Sequence, residues 1–218
     1  MKARSHRQEI DHRTIKLMMG SIAIAFPILI SALSRPGITS ISASYFEGGW
    51  PQTIFIGFLF AIAAFLMAYN GLSKLEMYLS KLASIAALGV AWFPCACTAQ
   101  PELIPHIHEV FASLMFLILA FFCYLFFKRA KAKGYFQAHA RAAVYATCGA
   151  LILLSIIVLG YNVLTHGSLA ASIPRLIFYG EAVGLIAFGV AWLTASRVLP
   201  LLTLPNERFS PLKELNPD

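Results

Sequence analysis

Residues 176–196 read LIFYGEAVGLIAFGVAWLTAS and contain one charged residue, Glu181. Five further stretches contain no Asp, Glu, Lys or Arg: 17–34, 53–72, 82–98, 110–127 and 142–164. A lipid bilayer imposes this distribution, because a charged side chain at mid-membrane costs about 2.5 to 3.5 kcal/mol on insertion scales. At about 1.5 Å of rise per residue, each stretch covers most or all of a hydrocarbon core about 30 Å thick. The sequence therefore predicts an all-α integral membrane bundle of six transmembrane helices.

The composition of the whole chain agrees with this segmentation. Of its 218 residues, 59% are hydrophobic and 12% are charged, whereas soluble domains are about 25% charged. No stretch between the apolar ones exceeds about 18 residues, which leaves no room for a folded domain outside the membrane. We therefore expect a single transmembrane domain, 1–218, and exclude a soluble globular protein.

Basic residues predict how the chain is threaded. If the N-terminus is cytoplasmic, fifteen of the 17 Lys and Arg residues fall on cytoplasmic segments, and only Arg35 and Arg175 fall outside. Cytoplasmic loops of multi-pass proteins carry such an excess of positive residues. Both termini are thus predicted to be cytoplasmic and the protein to lie in the inner (plasma) membrane.

The same distribution explains the net charge of +7 without a polyanionic partner. The basic residues are divided among four separate segments and are flanked by apolar spans, so anionic lipid headgroups suffice to neutralise them. Membrane lipids are the predicted partners and nucleic acid is excluded. The sequence leaves the oligomeric state open.

Small residues suggest which helices pack closely. Gly180 and Gly184 stand four residues apart in the last apolar stretch, and Ala83, Ala87 and Ala91 share that spacing in the third. Such faces let backbones approach each other in lipid, where no hydrophobic drive brings helices together. We expect the third and sixth helices to meet at the centre of the bundle and the fifth to be peripheral.

Glu181 is the charged residue whose position most needs an explanation. It is the sixth residue of its stretch and so lies roughly 7 to 8 Å below the outer boundary. His108 stands at the outer start of the fourth stretch, where an inward tilt of the imidazole could bring the two together. We predict that Glu181 and His108 form a ligand- or proton-binding site in the outer half of the bundle. The alternative is a hydrogen bond that only joins two helices.

Potential metal ligands gather on the same side of the membrane. Cys95 and Cys97 form a Cys-x-Cys pair, and His106 and His108 form a His-x-His pair. Zinc binds Cys and His, and copper binds imidazole or sulfur, so these four residues are a candidate metal site. Further residues of suitable type on this side are Glu47, Glu109 and His166. Neither spacing matches a standard zinc pattern, histidines at a helix start often face headgroups, and no cofactor is predicted.

No structural disulfide is expected. Cys123 and Cys148 fall in the inner thirds of their stretches, away from an oxidising compartment. A bridge between Cys95 and Cys97 would span one residue, and short bridges of this kind are strained.

Serine chemistry is a further hypothesis. Ser40, Ser42 and Ser44 lie in the first outer loop and could be paired with His108 and Glu181. No Gly-x-Ser-x-Gly elbow is present, and serines are common in loops. An enzyme is therefore less favoured than a binding protein.

Several short motifs suggest a family. They are Ser42-Ala43-Ser44-Tyr45-Phe46, Ile56-Gly57-Phe58-Leu59, Tyr69-Asn70-Gly71, Ala87-Leu88-Gly89-Val90-Ala91-Trp92-Phe93-Pro94, His108, Glu181 and Phe188-Gly189-Val190-Ala191-Trp192-Leu193. Over about residues 15–198 the chain resembles a group of uncharacterised six-helix bacterial inner-membrane proteins, which are loosely similar to the DRAM/Sfk-like membrane proteins. The resemblance implies the fold and carries no catalytic motif. Cys95 and Cys97 depart from it, because ordinary small polar residues are expected at those positions.

The predicted function is non-enzymatic binding, sensing or transport of a lipid or small solute through a polar site in the outer half of the bundle. The alternatives are a membrane-embedded hydrolase or transferase and an outer-face metal or redox protein. Binding that depends on Glu181, turnover lost in a serine or histidine variant, and metal content after purification would distinguish the three.

Overall fold

The computed structural model describes residues 12–97 and 104–210. Within these ranges the regular elements are all helical and no strand is present, which confirms the all-α class. The α-helices are α1 His12–Leu33, α2 Gly49–Ala68, α3 Lys74–Trp92, α4 Ile107–Lys131, α5 Phe136–Leu164, α6 Ser168–Ser172 and α7 Leu176–Ser196. Short 3-10 helices cover Ser42–Phe46, Pro200–Leu202 and Pro205–Glu207.

Five of these helices are long and apolar enough to cross a membrane: α1, α2, α4, α5 and α7. Six spans were predicted, and the described residues support five. The exception is α3, because Lys74, Glu76 and Lys81 occupy its first turns and lower its mean hydropathy. Some residues of the predicted charge bias lie outside the described ranges, namely Lys2, Arg4, Arg7 and Lys213.

The third helix begins at Lys74, where the sequence predicted a start at Leu82. Ser73 caps it, because its Oγ accepts a hydrogen bond from the Glu76 backbone N–H at 3.3 Å. Lys81 is tolerated inside the helix because its ammonium reaches back to backbone carbonyls at the end of α2. The position of Lys81 therefore predicted the wrong start for this helix. The Ser73 cap and the contacts of the Lys81 side chain with the end of α2 allow the helix to begin at Lys74.

The third helix also ends earlier than predicted, at Trp92. Phe93 adopts an extended conformation (φ −100°, ψ 107°), as the residue before Pro94 is restricted to do. Cys95 and Cys97 therefore follow the helix instead of forming its last turn.

The six long helices form a closed ring in the order α1, α2, α3, α4, α5, α7, and α7 packs back on α1. Fully buried aromatic side chains fill the interior, among them Tyr69, Phe122, Phe188 and Trp192. The rings of Tyr69 and Trp192 lie 5.0 Å apart, centroid to centroid. The prediction that the third and sixth helices meet is wrong, because α7 packs on α1 and α5 while α3 packs on α2 and α4.

Glycines set the close approach of α1 and α7. A Cβ placed on Gly20 would lie 2.8 Å from the Gly189 carbonyl oxygen, and a Cβ on Gly189 would lie 2.8 Å from the Gly20 carbonyl oxygen. Only glycine allows two backbones to pass at this distance. Gly184, part of the small-residue face considered above, instead makes room for the ring of Phe116 on α4.

The two ends of the bundle differ in charge. We call one the basic end, because it carries Lys16, Lys81, Arg129, Lys133 and Arg197. The opposite end, where α1 and α3 finish and α4 and α7 begin, is called the site end.

Glu207 fastens the segment after α7 to the basic end. Its carboxylate accepts hydrogen bonds from Lys133 Nζ at 2.8 Å, Tyr135 Oη at 2.6 Å and Arg197 Nη1 at 3.3 Å, and the buried Arg141 Nη2 lies 3.5 Å away. The hydrogen bonds from Lys133 and Tyr135, helped by the charge of Arg197, lower the pKa of Glu207 from 4.5 to about 2.

We expect Glu207→Gln to loosen this segment at neutral pH. A carboxyl whose pKa is lowered by folding stabilises the folded state above its ordinary pKa of 4.5, and the contribution is lost as the pH falls to about 2. Hydrogen exchange of residues 198–209 should therefore be faster in the variant at about pH 7, with the difference shrinking towards about pH 2. Glu47→Gln is the control, since Glu47 accepts one bond from the Arg35 backbone at the other end. Unchanged exchange in Glu207→Gln at neutral pH would contradict the assignment.

Candidate functional site

The loop between α1 and α2 folds over the site end and is fastened to α7. The Phe178 backbone N–H donates to the Thr39 carbonyl oxygen at 3.0 Å, and Arg175 Nε donates to the Ile38 carbonyl oxygen at 3.0 Å. These bonds place the 3-10 helix Ser42–Phe46 beside the first turns of α7.

A continuous hydrogen-bonded network joins four elements at this end. Glu181 of α7 accepts from the Ile41 backbone N–H at 2.5 Å through Oε2, and its Oε1 lies 2.7 Å from Ser42 Oγ. Ser42 Oγ lies 3.0 Å from Nε2 of His108, which is buried at the start of α4. His108 Nδ1 lies 2.7 Å from the Phe93 carbonyl oxygen after α3. Glu181 and His108, predicted to lie together, are therefore joined through Ser42.

The hydrogen bonds of the network limit the protonation states that Glu181 and His108 can adopt. The Phe93 carbonyl can only accept, so Nδ1 of His108 carries a proton. The Ser42 hydroxyl has one hydrogen for two neighbours, so both of its bonds form only if Glu181 or His108 supplies a second proton. The satisfied network therefore holds either a carboxylate and an imidazolium or a carboxylic acid and a neutral imidazole. Moving two protons along Ser42 converts one arrangement into the other.

The network forms part of the wall of a cavity of about 810 Å³. Most of the wall is apolar and comes from α4, α5 and α7, including Ala112, Leu114, Phe116, Ile156, Leu159, Ile177 and Leu185. A large apolar cavity with a few converging polar groups is the usual form of a small-molecule site.

The cavity reaches the surface of the bundle at exposed side chains, which include Thr39, Cys97 and His106 at the site end as well as apolar side chains of α4 and α5. Val110 and Leu117 of α4 and Val163 and Leu164 of α5 line it and are themselves exposed, Leu164 to 80%. In a membrane these side chains would face lipid tails. A ligand could therefore enter from the lipid phase.

Glu109 adds a further acceptor to the cavity wall. Its Oε2 is buried and has no hydrogen-bond partner within residues 12–97 and 104–210. A buried acceptor without a partner is costly, so a ligand that donates a hydrogen bond would be favoured here.

Cys95 and Cys97 form a disulfide in the same wall, contrary to the expectation that they would remain unbridged. The turn that follows Pro94 brings their Cα atoms to 5.1 Å, within the range that a disulfide requires. Cys123 and Cys148 are buried free thiols, as expected.

The proposed metal ligands do not converge. Among the described residues no three His, Cys, Asp or Glu side chains are placed to hold a metal ion. The sulfurs of Cys95 and Cys97 are joined to each other, although His106 and His108 line the same cavity. This arrangement lends the metal hypothesis no support.

The loop serines have distinct roles. Ser44 Oγ donates to the Ile41 carbonyl at 2.6 Å, and Ser40 Oγ accepts from the Ala43 backbone N–H at 2.9 Å. Only Ser42 bonds to both His108 and Glu181. The order differs from a hydrolase triad, in which the carboxylate would bond to histidine Nδ1.

Sequence reasoning identified Glu181 and His108 but neither the bridging position of Ser42 nor the cavity. The bridge depends on the loop contacts with Arg175 and Phe178, which no spacing in the sequence reveals. The comparisons with known proteins found no matching family model, no matching curated protein and no matching solved structure.

Proposed function

We propose that this multi-pass helical protein binds an amphipathic molecule that enters from the lipid phase. Its polar group would contact the network of Glu181, Ser42 and His108, and its apolar part would occupy the cavity between α4, α5 and α7. Binding is the step that transport or sensing of such a molecule would share.

One observation carries the proposal: the same cavity is lined by the network of Glu181, Ser42 and His108 and by exposed apolar side chains of α4 and α5. A polar solute would gain nothing from the apolar walls. A pure hydrocarbon would leave Glu109 Oε2 without a partner. An amphipathic molecule satisfies both parts of the cavity.

We further propose that the basic end faces the cytoplasm and that the protein resides in the inner membrane. The excess of Lys and Arg at that end supports this orientation. The Cys95–Cys97 disulfide at the site end supports it independently, because disulfides persist in oxidising compartments outside the cytoplasm.

Filling the cavity should abolish binding without unfolding the protein. Gly160 of α5 lines the cavity, and a Cβ there would meet no atom within 4 Å. Gly160→Phe should therefore fold normally and place a ring in the cavity. Mass spectrometry of purified protein should show one class of amphipathic molecule retained by the wild type and reduced at least about tenfold in the variant.

Gly57→Phe is the matched control. Gly57 lies on an exposed face of α2, outside the cavity lining, and a Cβ there also meets nothing within 4 Å. The substitution makes the same change in helix propensity and side-chain volume. If both variants retain the same molecules as the wild type, the cavity is not the binding site.

A further inference from the structure

The Cys95–Cys97 disulfide makes a poor structural brace. It joins residues separated by two positions in one segment after α3, so it ties no two helices together. A disulfide stabilises mainly by restricting the unfolded chain, and the shortest loops gain least. Its position calls for another role.

The two sulfurs have different surroundings. Both residues line the cavity, but Cys97 is exposed, whereas Cys95 is buried and only 5% exposed. An incoming thiolate can therefore reach Cys97 far more readily than Cys95.

Ser40 directs a hydroxyl at the exposed sulfur. Ser40 Oγ is 3.7 Å from Cys97 Sγ, and it is held in place by accepting the Ala43 backbone N–H. A disulfide sulfur carries no hydrogen, so Ser40 is the donor. The hydroxyl would stabilise negative charge when Cys97 becomes a thiolate, which makes Cys97 a better leaving group.

We propose that Cys95–Cys97 is a redox-active disulfide that oxidises a dithiol presented at the site end, for example on a protein partner. One thiolate of the dithiol attacks Cys97 Sγ, the Cys95–Cys97 bond breaks, and its electron pair goes to Cys95, which takes up a proton. The second thiolate of the dithiol then attacks the dithiol sulfur that is bonded to Cys97 in the mixed disulfide. Cys97 leaves as a thiolate, which Ser40 stabilises, and is then protonated. Two electrons and two protons pass from the dithiol to Cys95 and Cys97, and the dithiol becomes a disulfide.

The first test uses dithiothreitol on the full chain in lipid nanodiscs, without denaturant. The proposal predicts two new alkylatable thiols, at Cys95 and Cys97, and a thermal midpoint within about 2 °C of the oxidised protein. Reduction that occurs only after unfolding, or that lowers the midpoint substantially, would show a structural disulfide and overturn the proposal.

The second test separates the roles of the two sulfurs with glutathione disulfide as the probe. Cys95→Ser, which retains Cys97, should form a mixed disulfide at least about tenfold faster than Cys97→Ser. Adding Ser40→Ala to Cys95→Ser should slow the reaction, and Ser40→Thr should restore it. The variant with both cysteines replaced reports any reaction of Cys123 and Cys148. Equal rates for the two single variants would contradict the proposal.

Discussion

Gly189→Leu is expected to destabilise the bundle more than the same substitution at Gly57. The new side chain would begin 2.8 Å from the Gly20 carbonyl oxygen and 3.2 Å from the Ile24 backbone nitrogen, and backbone atoms cannot move aside as a flexible side chain can. Overpacking of this kind typically costs about 1 to 3 kcal/mol, and a backbone clash belongs at or above the upper limit. Thermal unfolding in detergent is the measurement.

Gly57→Leu is the control for this experiment, because a Cβ at Gly57 meets no atom within 4 Å. Gly20→Leu should resemble Gly189→Leu, since the two glycines face the same crossing. If Gly189→Leu and Gly57→Leu unfold at the same temperature, α1 and α7 do not cross at these glycines, and the helical ring would need revision.

Substitutions at Glu181 are expected to separate its hydrogen bonding from its charge. In Glu181→Gln the amide oxygen can accept from the Ile41 N–H and the amide nitrogen can donate to Ser42 Oγ, whose hydrogen then passes to Nε2 of neutral His108. Every bond survives, so stability should stay near the wild type. Glu181→Leu leaves the Ile41 N–H without an acceptor, at about 1 to 3 kcal/mol, whereas the Ser42 hydroxyl can still donate to Nε2 of neutral His108.

The ligand retained by the protein provides the second readout at this position. Glu181→Gln holds the network in the arrangement with neutral side chains and removes the proton that Glu181 and His108 can share. A ligand held by hydrogen bonds alone should remain bound, whereas one held by the carboxylate charge should be lost. Equal thermal stability of the Gln and Leu variants would contradict the network geometry itself.

The apolar stretches predicted the helices well, because the cost of a charge in lipid acts on every residue of a span. The last stretch, 176–196, coincides with α7. The expectation that a helix lies within an uncharged stretch was wrong for α3. The Ser73 cap and the hydrogen bonds of Lys81 allow this helix to begin at charged residues. The distribution of charges also did not predict that Arg141, near the start of α5, is fully buried beneath the segment after α7.

Long-range geometry limited what could be predicted of the site. Glu181 and His108 were recognisable because Glu181 is an isolated charge in an apolar span and His108 stands at the outer start of another span, from which a tilted imidazole could reach it. Ser42 was one of three loop serines, and only folding of the loop onto α7 distinguishes it from Ser40 and Ser44. The prediction that α3 packs against α7 was wrong for a general reason. Small residues indicate that another helix can pack closely, but they do not identify which helix it is.

Covalent mapping of a photoactivatable phospholipid in nanodiscs tests the central proposal, that the cavity takes an amphipathic molecule with its polar group at Ser42. A diazirine near the end of the acyl chain should label cavity residues such as Phe116 and Leu159 in the wild type. Labelling there should fall in Ser42→Ala and Gly160→Phe but not in Gly57→Phe. Labelling spread evenly over exposed apolar residues such as Ile85 and Ile157, and unchanged in all three variants, would contradict it.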